Sequence, residues 1–395
     1  MRKSFFLGLI ALAALSLTSC SNDEVASFKP QDNAIEFGTY LGRSVSTRGI
    51  VLDNYNLLDF GVFASYTGQN NWAISNGYNF MYNQLVERTA VDAAWVYTPK
   101  KYWPTTHNDK ISFFAYAPYE TAVNGGISVT TGKDGAGAPI ITYTINENFL
   151  PQQADFVADV LMNQIKEGDG TSIDSKDRTV KFNLRHELTR LGFQAKLDRD
   201  AFGAAAAAYK TKVNIKSIKI LGSELYTEGQ YVFATTNEDD QRGSWTNCKS
   251  GQLDLATLLN TATPGINDLG GYVTPGILIP DTKPVTLFYA TDGEPDDEPE
   301  YLFLIPNDVK GLTETGKVKL HVAYDIVTVD SSLNAGHSVT PAVKEIEFPA
   351  TTLQQGVAYN FILTFGLNEI KLDATVEDWV NAGFADDVDW PKQDQ

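Results

Sequence analysis

Val318-Lys319-Leu320-His321-Val322-Ala323-Tyr324-Asp325-Ile326 decides the fold class. Its apolar residues Val318, Leu320, Val322, Tyr324 and Ile326 share one parity, and Lys319, His321, Ala323 and Asp325 take the other. A repeat of two sends alternate side chains to opposite faces, so the stretch is a strand with one buried face. Working outward, the same rule holds for Tyr359, Phe361, Leu363, Phe365 and Leu367. After a turn around Gly366–Glu369 it resumes at Ile370, Leu372, Ala374 and Val376. Near the other end, Ile35, Phe37, Thr39 and Leu41 alternate with Glu36, Gly38 and Tyr40. Val213 and Ile215, then Ile218 and Ile220, share a face across a shifted register, and Val285–Ala290 and Tyr301–Pro306 read as buried strands flanking an acidic loop. No long segment of 3.6-residue period competes. The alanine run Ala204–Ala208 is at most a turn or two of helix, without an apolar stripe. The class is mainly β, built from antiparallel β-sandwiches.

Composition bounds what such a chain does. Its 395 residues imply two domains or three, and 43% apolar residues are enough to fill real cores. Forty-nine Asp+Glu against 31 Lys+Arg leave a net charge of −18. A surface that tracks phosphates needs a basic stripe, so nucleic acid is excluded as a partner. Two cysteines, Cys20 and Cys248, exclude a disulfide framework and a Cys-rich zinc site.

The first twenty residues read as an address. Arg2 and Lys3 precede the apolar run Phe5–Leu17, whose thirteen residues fall short of a membrane span and suit a signal peptide. The run ends in Leu17-Thr18-Ser19-Cys20, small residues before a cysteine, which matches a bacterial lipobox. Residues 1–20 are therefore expected to be a lipoprotein signal peptide. Cys20 is the expected lipidation site, carrying a diacylglycerol and an acylated amine, and several acyl chains anchor where one is marginal. Ser21–Asp32 is polar and reads as a tether. Lys166–Arg178 is a polar, glycine-containing loop, and we place the boundary between the two folded halves near residue 195, giving 49–195 and 196–395.

No catalytic or metal-binding motif is present. His107, His186, His321 and His337 lie far apart and outside zincin spacing, so hydrogen-bonded structural roles are expected for them. Gly132–Gly137 leads into Ala138-Pro139 and reads as a loop, not a phosphate cradle. The acidic run Asp292–Glu300 holds two prolines and lacks calcium-loop spacing, which suits a solvated turn. Cys248 has no nearby histidine. Trp72, Trp95 and Trp103, with Tyr97 and Tyr102, fit either a sandwich core or a flat glycan platform, the core being the commoner use. No enzyme activity, cofactor or metal is expected.

Several stretches resemble the fimbrillin family, the type V pilins of Gram-negative anaerobes. They are Asp59-Phe60-Gly61-Val62-Phe63-Ala64, Phe80-Met81-Tyr82-Asn83-Gln84, Trp95–Pro104, Ile111–Tyr119, Tyr301–Pro306 and the closing strands to Val376-Glu377-Asp378-Trp379. Their order behind a lipobox carries the resemblance over nearly the whole chain after Cys20. It implies two transthyretin-like β-sandwich domains in tandem, export as a lipoprotein to the outer membrane, and a stalk or tip subunit of a surface fimbrium that supports adhesion. It further implies that a trypsin-like, arginine-specific protease removes the first strand and that strands of another pilin subunit fill the groove. A host or bacterial surface ligand is the other partner to expect.

The residues accommodate that implied sequence of events. Gly42–Thr47 is small and polar, and Arg48 precedes Gly49, so the expected cut falls between them; Arg43 is a second candidate closer to the strand. Residues 21–48 then form a tether and removable first strand. The donor candidates lie within 357–379: Tyr359, Phe361, Leu363, Phe365, Leu367, Ile370 and Leu372. Five apolar side chains contribute roughly 7–15 kcal/mol on burial, against about 9–18 kcal/mol of backbone entropy for nine residues. A one-strand donor is marginal on that comparison and a two-strand donor more credible. The alternative is that these strands pack within their own domain. A different function, a tethered surface lipoprotein that binds glycans and does not polymerise, predicts an exposed tryptophan patch.

Overall fold

The computed structural model describes residues 33–41, 51–120, 126–146, 150, 153–166, 179–198, 210–236, 242–259, 269–288, 301–307, 318–348 and 353–378. Cys20, Arg48, Gly49, the alanine run, the acidic run Asp292–Glu300 and residues 379–395 lie outside them, as does most of Lys166–Arg178. The strands of the first half are β1 (Glu36–Tyr40), β2 (Asp59–Gly68), β3 (Met81–Glu87), β4 (Lys110–Ala117), β5 (Ile127–Val129), β6 (Ile140–Thr144), β7 (Val157–Gln164), β8 (Thr179–Asn183) and β9 (Arg185–His186). Then come β10 (Thr189–Leu197), β11 (Thr211–Val232), β12 (Ser244–Asp254), β13 (Ile277–Ile279), β14 (Val285–Thr286) and β15 (Leu302–Leu304). The last are β16 (Val318–Val329), β17 (His337–Glu347), β18 (Val357–Phe365) and β19 (Ile370–Asp378).

The first half centres on an antiparallel sheet in the order β3-β2-β4-β7-β9. Its middle strands are buried on both faces, which is why they read as nearly continuous apolar runs. Phe60, Val62, Phe113 and Ala115 enter one core with Phe37, Val180 and Phe182 of the parallel pair β1–β8. Phe63, Phe114 and Tyr116, of the opposite parity, enter a second core with Tyr143, Phe156, Tyr231 and Trp245.

That second core continues into a larger sandwich. One sheet runs β17-β16-β11-β6-β5, with β12 and β13 also paired to β11. The other runs β14-β10-β18-β19, with β15 on β10. Strand β11 is 22 residues long and serves both halves. Its beginning pairs with β16 and β13, and its end with β6 and β12. Two strands that precede residue 150 thus belong to the same sheet as β16. Residue 195 lies inside β10, and the chain passes from the first half's sheet to the second's between β9 and β10.

The passage at Glu187 is fastened from several sides. The Glu187 amide donates to Phe156 O, and Trp245 Nε1 donates to Glu187 O at 2.8 Å. The carboxylate is buried, meets Gln355 Nε2 and lies 3.7 Å from Arg242 Nη1. Burial pushes this carboxyl up to about 7, with Arg242 only partly opposing it.

The alternation read from sequence is recovered where it was strongest. Val318, Leu320, Val322 and Tyr324 are all buried along β16, but Ile326, expected on the same face, is half-buried, and Asp325, expected on the polar face, is buried where Lys216 and Tyr272 donate to its carboxylate. The shifted register in β11 is a bulge between Ile215 and Ser217, which keeps Val213, Ile215, Ile218 and Ile220 buried. Other details differ. β1–β8 and β10–β18 are parallel pairs in an otherwise antiparallel fold. Leu367 belongs to the turn closed by Gly366 N to Glu369 O, where it is half exposed and leaves the strand parity of β18. β14 and β15, expected to flank a loop, pair with opposite ends of β10.

Candidate functional site: the first strand and its groove

Strand β1 lies in a groove with its own flanking contacts on each side. Along one edge it pairs in parallel with β8, from Glu36 opposite Thr179 to Tyr40 opposite Asn183. Along the other, the Ile35 amide donates to Lys101 O at 2.8 Å and Ala34 bridges Tyr102. Tyr97 Oη joins both sides of that edge: it donates to Ile35 O at 2.8 Å and accepts from the Lys101 amide at 3.2 Å. The far end is closed by Leu184 N to Tyr40 O, 2.8 Å, and by Leu41 N to Asn54 Oδ1, 2.9 Å.

The alternation dictates what enters the groove. Ile35, Phe37 and Leu41 point inward and are buried, and Thr39 at the same parity is half-buried. Phe37 sits in a box of rings. It stacks on Phe182 at 6.0 Å and meets Tyr97, Phe60 and Phe113 edge-on at 5.2, 6.0 and 6.3 Å. At the Tyr40 end, the Asn183 amide donates to Asp159 Oδ2, and burial pushes the Asp159 carboxyl up to about 7, with Arg185 nearby partly opposing it.

The donor candidates are placed differently from one another. β18 is an inner strand, parallel to β10 and antiparallel to β19, with Tyr359, Phe361, Leu363 and Phe365 fully buried. Phe361 stacks on Phe193 at 5.3 Å and meets Phe348 at 4.9 Å; Tyr324 meets Phe365 at 5.1 Å. In this chain β18 lies between β10 and β19. β19 is an edge strand: Ile370 and Leu372 are half-buried, while Ala374 and Val376 are exposed.

The other candidates occupy structural positions. His186 Nδ1 lies 2.8 Å from Asp155 Oδ2, and both side chains are buried. His321 Nδ1 is buried without a hydrogen-bond partner. His107 is exposed, and His337 Nδ1 lies 3.0 Å from Gly270 O. Cys248 is half-buried. Trp103 and Tyr97 are core residues, Trp72 and Trp95 are half-buried, and of that group Tyr102 alone is well exposed, so these aromatics form no flat platform. No metal-binding cluster occurs among the described residues, and none of their helices is long and apolar enough to cross a membrane.

The sequence did not reveal Tyr97 as a backbone clasp, because a buried tyrosine and a clasping one have the same local pattern. In the same segment Lys101 O accepts the Ile35 amide, and the Lys100 ammonium lies 4.5 Å from the Tyr97 ring.

A model of fimbrillin-like proteins matches residues 55–379 of the chain. The fimbrium subunit Fim1C of Phocaeicola vulgatus is 30% identical over 400 aligned residues, which cover 96% of this chain and 97% of that one. Among solved structures, a fimbrial protein from Bacteroides vulgatus superposes with a TM-score of 0.66 at 28% identity, covering 88% of this chain and 99% of the other.

Proposed function

We propose, from the premise that this chain belongs to the fimbrillin-like family, that it is a fimbrial subunit in which β1 is a temporary occupant of its groove. A fimbrial subunit acts at the cell surface and assembles with other subunits. In the finer reading, the chain is exported as a lipoprotein acylated at Cys20 and anchored in the outer membrane. A trypsin-like protease cuts between Arg48 and Gly49, β1 leaves with the lipid, and another subunit's strand takes its place. Repeated head to tail, such a contact does not close on itself and builds a filament.

The observation that carries this reading is the way β1 is held. It contributes three large inward side chains, Ile35, Phe37 and Leu41, to a core whose other buried members run from Leu57 to Leu184. Burial of those three contributes roughly 5–9 kcal/mol. Domain stabilities run to about 5–15 kcal/mol in total, so a subunit that loses β1 has strong reason to acquire another strand. An empty groove also leaves the β8 edge unpaired, and strand addition is the usual fate of such an edge. Within 357–379, β19 suits donation better than β18. Ile370, Leu372, Ala374 and Val376 alternate as Ile35, Phe37, Thr39 and Leu41 do, and its departure leaves the paired core strands β10 and β18 in place.

The test is the N-terminus of the surface-displayed protein. Material beginning at Gly49 in high-molecular-weight ladders is expected from the wild type, and a lipidated monomer without ladders from Arg48→Ala. Unchanged ladders from the variant overturn the cleavage step.

A further inference from the structure

Arg242-Gly243 repeats the dipeptide of the proposed cut, Arg48-Gly49, and Arg88 opens a loop of small residues, Thr89-Ala90-Val91-Asp92-Ala93-Ala94. By local sequence a protease that reads arginine would accept either. The loop after Arg88 is also at the surface, with Thr89, Ala90, Asp92 and Ala94 exposed. Arg185 and Arg190 differ in lying inside β9 and β10, where the backbone is engaged in sheet pairing.

The guanidinium of Arg88 is already occupied. Nε donates to Leu57 O and Nη2 to Asn54 O, each at 2.8 Å, and Nη1 donates to Val91 O. The group lies 4.5 Å from the Trp95 ring, and the Arg88 amide donates to Leu58 O at 2.9 Å. All three side-chain nitrogens thus meet carbonyls of this chain. Two of those carbonyls lie in 54–58, which stays with the protein after a cut at Arg48, and the third lies in the exposed loop itself. Arg242 is held in a comparable way: Nη1 donates to His186 O and lies 3.7 Å from the buried Glu187 carboxylate. The fit is close, since a Cβ at Gly356 would lie 2.6 Å from Arg242 Nη1.

A trypsin-like protease needs the arginine side chain inside its specificity pocket. Withdrawing a bound guanidinium breaks every one of its charge-assisted bonds at once, and those are the strong ones. Cleavage of a folded chain follows the population of its open form when opening and closing are fast. We propose that the fold sets which arginine is cut: Arg88 and Arg242 are withheld from the protease because their guanidinium groups are already bound within the chain. This rests on the arginine-specific cleavage proposed above and adds what restrains it elsewhere.

The test is a time course of the full chain with a purified arginine-specific endoprotease, the first cuts being located by mass spectrometry of new N-termini. In the parent, fragments beginning at Thr89 or Gly243 are expected at least about a hundredfold more slowly than those beginning at Gly49. Ala90→Arg adds an arginine at an exposed position of the same loop. Cutting after residue 90 is expected to outpace cutting after Arg88 in the same molecule by at least about a hundredfold. Where Ala90→Arg fails to fold, Ala94→Arg, exposed in the same loop, takes its place. Rapid cutting after Arg88 or Arg242 in the parent overturns the proposal. So does a loop left uncut in the variant, because its backbone would then be the barrier and not the bound guanidinium. A parent left intact at Arg48 overturns the cleavage reading, while the comparison of positions 88 and 90 still decides this one.

Discussion

Phe37→Ala puts the groove under the most direct strain. Phe37 is 6% exposed and touches four rings, Phe60, Tyr97, Phe113 and Phe182, drawn from β2, the 95–103 segment, β4 and β8. A buried Phe→Ala change costs about 3–5 kcal/mol, because the removed ring leaves a cavity that neighbours only partly close. Packing on four separate elements leaves little room for closure, so the upper part of that range applies to the groove itself. A terminal strand, however, can detach without unfolding the rest. Global stability then falls only until detachment becomes easier than unfolding, and the full cost appears in the local opening of β1. Hydrogen exchange reads that opening at the Leu184 amide, which donates to Tyr40 O, and at the Ile35 amide. A loss of about 3–5 kcal/mol corresponds to roughly a hundred- to several-thousandfold less protection at 1.36 kcal/mol per decade. Amides around the other core, such as Phe361 in β18, should change far less. Protection at Leu184 within a factor of about five of the parent, a change worth under roughly 1 kcal/mol, would refute the view that Phe37 anchors β1. Equal loss at Leu184 and Phe361 would refute separable detachment.

Three further outcomes follow from the same geometry. Tyr97→Phe removes the hydroxyl shared by Ile35 O and the Lys101 amide, and should cost about 1–2 kcal/mol of β1 protection by exchange with little effect on β18. Val376→Asp sits at an exposed edge position, so monomer stability by urea titration should stay within about 0.5 kcal/mol, while fibre assembly followed by light scattering should fail. Glu187→Gln tests the junction between β9 and β10. An acid whose pKa is raised from 4.5 to about 7 on folding is bound to its proton more tightly in the folded state. Its contribution is present below the unfolded value and is lost as pH rises through about 7. The variant carries no such group, so its stability relative to the parent should rise between about pH 4.5 and 7 and level off above, by urea titrations across that window. A difference independent of pH would show that Glu187 is not buried as described.

Local chemistry alone determined the strands with one clean buried face. From Val318 to Tyr324 in β16 and along β18 every second residue is apolar and buried, and the bulge in β11 shows as a parity slip between Ile215 and Ile218. What alternation cannot say is which strand lies alongside, because a side chain pointing into a core has the same period whatever its neighbour. β18 and β19 read as equivalent donors from sequence, yet one is central and the other an edge. The partners of β1 and β18 are set by residues far off in the chain, Phe37 opposite Val180 and Phe361 opposite Phe193. The same holds for Tyr97, Glu187 and Lys101, whose roles arise from what other segments bring beside them. Strand content was therefore a property of short stretches. The groove and its clasp belong to long-range pairing, which only the folded chain decides.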